Sequence, residues 1–146
     1  MSAPHEPYFD AVFAALGDLA YDGWAEHCNA NGDIMLTEIH IELEEPDDPD
    51  DSQWFLIWDQ VDGWRYGLLR DCNVVVGPDQ LLYGSVPTPA SVAAAARALV
   101  ADGSRNLPAT GEETPVTDRL LTPDLAEALA DKTLPPPMAA QLAYYA

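Results

Sequence analysis

A chain of 146 residues with 25 acidic and 6 basic side chains, and a formal charge of −19, is long enough to form one domain with its own core. Cations are needed to neutralise phosphates, so direct nucleic-acid binding is not expected. No apolar run approaches the ~18 residues of a membrane span.

Residues 7–23 read as an amphipathic helix. Pro7 suits its first turn, and Phe9, Val12, Phe13, Leu16, Leu19 and Ala20 form one apolar stripe. Asp10, Asp18 and Asp22 lie off that stripe, and Gly23 is placed to end the helix. Gly17, inside it, is expected to allow close packing. Residues 24–29 read as a short strand, followed by Asn29-Ala30-Asn31-Gly32-Asp33 as a hairpin turn. Residues 34–43 alternate. Met35, Thr37, Ile39, Ile41 and Leu43 fall on one side; Leu36, Glu38, His40, Glu42 and then Glu44 fall on the other. Period two marks a half-buried strand, here with an acidic outer face. It runs into an acidic loop, residues 45–51, broken by Pro46 and Pro49.

Residues 53–59 (QWFLIWD) read as a strand that is apolar on both faces: Trp54, Leu56 and Trp58 on one, Phe55 and Ile57 on the other. Such a strand belongs in the middle of a sheet. Gln60-Val61-Asp62-Gly63 is a hairpin connection, and residues 64–70 are the return strand. Residues 72–76 predict a further short strand, 77–80 a turn, and 81–83 one more edge. Thr88 and Pro89 start a second helix whose apolar face is Val92, Ala93, Ala96, Leu99 and Val100, with Gly103 at its end. Residues 104–117 have the composition of a linker or wrapped loop. Thr122-Pro123 opens a third helix with Leu121, Leu125, Ala128 and Leu129 inward. Residues 134–137 break it, and 138–146 form a last turn or two whose Tyr144 and Tyr145 need a dock.

The predicted fold class is α+β: an N-terminal helix, an antiparallel meander of four to five strands, an Ala-rich helix and a helical C-terminal tail. Residues 1–103 are the expected core. Residues 104–146 are a linker and helical extension of the same domain. The segment FLIWDQVDGWRYGLL, followed by VPTPASVAAAARAL, resembles a family of small uncharacterised actinobacterial proteins. The pattern is a strand ending in Trp58-Asp59, a turn with Gly63-Trp64, then Gly67, Pro87, Pro89 and Val92 leading an Ala-rich helix. The resemblance spans residues 53–102. It implies a fold and a host group, and no assigned activity.

Motifs for chemistry are absent. His27 and Cys28 are adjacent, so on a strand they point to opposite faces and cannot share a site. There is no Gly-x-Ser-x-Gly, Cys-x-x-Cys, His-Glu-x-x-His or phosphate-binding glycine loop. The turn at 29–33 lacks the spacing of a calcium loop. No enzyme activity, cofactor or metal is expected. Cys28 and Cys72 are expected to be reduced, because the first ten residues, MSAPHEPYFD, lack the basic region and apolar core of a signal peptide. Cytoplasmic residence follows as the expectation. Arg65 is expected to pair with a carboxylate on the sheet.

Charge placement is the remaining signal. Residues 1–64 hold 16 acidic side chains and no Lys or Arg, and the rest of the chain holds 9 acidic and 6 basic. A basic protein partner is the natural complement. The expected partner-binding residues are Glu38, Glu42, Glu44, Glu45, Asp47, Asp48, Asp50, Asp51 and Trp54. The expected role is a non-enzymatic acidic protein-binding module, as an inhibitor or nucleic-acid mimic. The bland alternative for the same residues is a charged strand edge that deters aggregation. The functional alternative is a chaperone- or adaptor-like homodimer that binds partners through apolar grooves, a reading based on topology.

Overall fold

The computed structural model describes residues 5–28, 34–41, 52–70, 73–102, 107, 111–116, 121, 123–130 and 134–145. Helix α1 spans Glu6–Leu16 and is followed by a 3-10 turn, Gly17–Leu19. Five strands follow: β1 Ala20–Cys28, β2 Ile34–Ile41, β3 Ser52–Asp59, β4 Gly63–Arg70 and β5 Asn73–Gln80. Helices α2 Pro89–Asp102, α3 Pro123–Ala130 and α4 Pro136–Ala143 complete the chain. The strands pair in sequence order, each antiparallel to the next, as a meander with β3 in the centre. The α+β class and the central place of the doubly apolar strand therefore hold.

One face of the sheet carries the core. Ile39 and Ile41 of β2, Leu56 and Trp58 of β3, and Trp64 and Tyr66 of β4 pack with Tyr8, Val12 and Leu16 of α1. Val92, Ala93, Ala95, Ala96 and Leu99 of α2 join the same cluster, as do Leu125, Leu134, Met138 and Leu142. The alanines let α2 lie close against its neighbours, and Arg97 donates to the Ala15 carbonyl at the end of α1. Thr88 holds the start of α2: its hydroxyl accepts the Ser91 N–H at 3.3 Å.

Helix α1 is shorter than its apolar pattern suggests. The reason lies in two glycines whose roles are exchanged relative to expectation. Gly17 ends the helix with φ of 58°, and a β-carbon there would meet nothing. Gly23 lies in β1, where a β-carbon would come within 3.0 Å of the Glu38 carbonyl, 3.1 Å of the Phe9 ring and 3.3 Å of Ile39. The close-packing glycine is thus Gly23, and the helix-ending glycine is Gly17. Gly23→Ala should cost about 1–2 kcal/mol through overpacking, read as a lower urea midpoint. Wild-type stability in that variant would contradict the tight contact.

Two further expectations are corrected. Residues 77–80 are not a turn: β5 continues to Gln80, because register shifts opposite Tyr66–Leu69 accommodate Gly77-Pro78 on a strand at the end of the sheet. Residues 81–83 contribute a single β-bridge position, Tyr83, in place of a full edge strand, while Leu81 and Leu82 turn into the core.

Beyond α2 the described residues wrap the same core. Thr88 N–H donates to the Glu112 carbonyl and Thr114 N–H to the Val86 carbonyl. The Tyr145 hydroxyl lies 2.6 Å from Thr114 Oγ1, and its ring packs on Tyr8. Tyr145 therefore finds its dock on this chain.

Candidate interaction face

Direct cross-strand partners share a face, so the register builds the face opposite the helices. One row runs across all five strands: Trp24, Glu38, Ile57, Arg65 and Gln80. The row above it holds Asp22, His40, Phe55 and Gly67; the row below holds Glu26, Leu36, Asp59 and Gly63. Leu36, Ile57 and Leu69 are only half-buried, and none belongs to the core cluster that takes in every buried helix residue. Phe55 is buried in this face opposite Gly67, where the missing side chain leaves room for a ring.

The face is acidic at one end. Asp22 and Glu26 are exposed on β1, with Trp24 between them. Glu38 Oε2 lies 2.8 Å from His40 Nε2, and the Trp24 ring tilts over His40 at 5.4 Å. Arg65, across the sheet, is committed to Asp59 at 3.1 Å and Asp62 at 3.8 Å, as its sequence position suggested. Asp59 also accepts the Val61 and Asp62 N–H groups, so this carboxylate closes the β3–β4 turn. At the acidic end, Glu38 has His40 as its partner, and Arg65 is held at Asp59 and Asp62 on the far side of the sheet.

Of the expected binding residues, Glu38 stands on this face. Trp54 does not: it shares the core side with Leu56 and Trp58, packs edge-on to Tyr66 and is half-buried. Glu42, Glu44, Glu45, Asp47, Asp48, Asp50 and Asp51 lie outside the described residues. Sequence reasoning missed Asp22, Trp24 and Glu26, which it divided between a helix and a short strand. Their period-two spacing was the available signal.

A separate chain of side chains centred on Tyr8 is buried between α1, the sheet and the segment leading to α2. Tyr8 donates to the Pro87 carbonyl at 2.6 Å and accepts from Trp64 Nε1 at 2.9 Å. Burial pushes its phenol well above the ordinary tyrosine range, against a smaller opposing effect of the Trp64 hydrogen bond. With its proton given to Pro87 and a lone pair to Trp64, this phenol locks α1 to the sheet. Among the described residues no group of three or more His, Cys, Asp or Glu could hold a metal ion.

A model of DUF6292, described as a family of unknown function, matches residues 8–98, more than half of the chain. The chain belongs to the DUF6292 family. The match runs from α1 through most of α2, so the DUF6292 core includes the five-stranded sheet, its outer face and the Tyr8 lock. It takes in most of residues 53–102, where the sequence resembles a family without assigned activity. No curated protein and no solved structure matches this DUF6292 chain. No helix among the described residues is long and apolar enough to cross a membrane.

Proposed function

We propose that the protein is a non-enzymatic, cytoplasmic binding module that docks its acidic sheet face on a basic protein surface. The single observation carrying this reading is the outer face. The described helices leave it uncovered, it presents Asp22, Trp24, Glu26 and Glu38, and its second strand leads into the acidic run at residues 42–51. Glu38 stands opposite Trp24, so Asp22 and Glu26 are its diagonal neighbours across the strand pair, about 7–8 Å away, and the three carboxylates form one cluster on the face. Inhibition of a nucleic-acid-binding partner by mimicry is the specific form the reading takes.

The test compares capture by the wild-type chain with capture by a variant carrying Glu38→Gln, Glu42→Gln, Glu44→Gln and Asp47→Asn. The expected result is a basic partner held by the wild type and lost by the variant, with thermal unfolding unchanged. Equal capture by both would overturn the acidic-face reading.

A homodimeric, chaperone-like role is favoured by one observation: Val74 and Val75, near the start of β5, are 52% and 50% exposed. Two chains of charge −19 repel, so added salt should strengthen that dimer while it weakens the binding of a basic partner. Light scattering across a salt series separates the two readings.

A further inference from the structure

We infer that the partner docks by adding an extended basic segment to the free edge of β1, as a sixth strand of the sheet; this rests on the acidic-face reading and gives it a geometry. Among the described residues two strands end the sheet, β1 and β5. They differ in their capacity to accept another strand. β5 contains Pro78, which has no N–H, and its pairing with β4 shifts register twice. Both features oppose strand addition. β1 shifts once, between Ala20 and Asp22, and then keeps unbroken register with β2 from Asp22 opposite His40 to Cys28 opposite Ile34. It contains no proline. A regular strand at the end of a sheet turns alternate N–H and C=O groups outward, away from its one neighbour.

The side chains decide what can be added there. Asp22, Trp24 and Glu26 are exposed on the outer face, and the intervening Gly23 and Ala25 are small. A second copy of this chain would set Asp22 and Glu26 against their own kind, which directly opposed like charges disfavour. A strand with Lys or Arg at every second position meets both carboxylates as opposite-charge pairs and places a cation near the Trp24 ring. Backbone hydrogen bonds then supply affinity, and the alternating side chains supply selection. The same carboxylates that block self-pairing thus select the partner.

The probe is a synthetic peptide of alternating arginine and valine, nine residues long to match β1, with blocked ends. Its control is the same peptide methylated on every backbone nitrogen, which keeps the charge and removes the donors. Binding is measured at low ionic strength, with hydrogen exchange of the chain's amides as a second readout. The expected result is slowed exchange along β1 with the first peptide, and roughly tenfold or greater loss of affinity with the second. Equal affinity for the two peptides would overturn strand addition while leaving the acidic-face reading intact. Failure of both peptides to bind would overturn both.

Discussion

Trp58→Ala should lower the stability of the fold by about 3–5 kcal/mol, the range for emptying an aromatic site in a core. Trp58 is fully buried near the C-terminal end of the middle strand, stacks on His5 at 5.5 Å and meets the edge of Tyr8. Its indole N–H donates to the Ser85 carbonyl at 2.8 Å, which ties β3 to the segment entering α2. Removing the side chain opens a cavity where α1, the sheet and that segment meet. A typical domain is stable by only about 5–15 kcal/mol, so the loss is a large fraction of the whole. Chemical denaturation measures it. A loss below about 1 kcal/mol would show that Trp58 is not the keystone of this core. Trp58→Phe, which fills much of the space, should lose less.

Tyr8→Phe should cost about 2–4 kcal/mol although it deletes a single oxygen, because it leaves two buried groups unpaired. The Trp64 indole N–H loses its acceptor, and the Pro87 carbonyl loses its donor. The pH dependence gives an independent check. The folded-state pKa of Tyr8 is raised, first by burial. The folded state therefore favours the neutral phenol, and unfolding releases a group that ionises near the ordinary value of about 10. The stabilisation is complete below that value and is lost as pH rises through the raised folded-state value. Wild-type stability should thus fall steeply above about pH 10, and the fall should be shallower in Tyr8→Phe. Tyr145, also raised chiefly by burial, retains part of the slope. Equal alkaline slopes in the two proteins would contradict the sealed environment of Tyr8.

Much of this fold is written locally. The alternation of Thr37, Ile39 and Ile41 against Leu36, Glu38 and His40 is the observed division of β2 into core and outer faces. The cap at Thr88, the Asp59–Gly63 turn and the ion pair of Arg65 follow from short-range chemistry, and all stand in the structure. What was not legible depends on contacts distant in sequence. Tyr8 begins the buried stripe of α1 (Tyr8, Val12 and Leu16), one residue before the first predicted position, because Trp64 and Pro87 satisfy its hydroxyl. Nothing in residues 6–16 announces those partners. The exchanged roles of Gly17 and Gly23 have the same cause, since only the approach of Phe9 and β2 excludes a β-carbon at Gly23. At the candidate site, Glu38 was readable from strand parity. Its neighbour Trp24 became visible only through the β1–β2 register, and Trp54 fell on the other face by parity with Trp58.

The most direct test of the acidic face is the salt dependence of binding to the isolated basic partner. Affinity and association rate would be measured at about 50 mM and about 500 mM salt, which spans a Debye length from beyond to well within the spacing of the face. The expected result is at least a roughly tenfold weaker complex at the higher salt, most of it in the association rate. An affinity that stays constant or rises with salt would contradict the acidic face as the docking surface and move the interaction to the apolar side chains near Val74 and Val75.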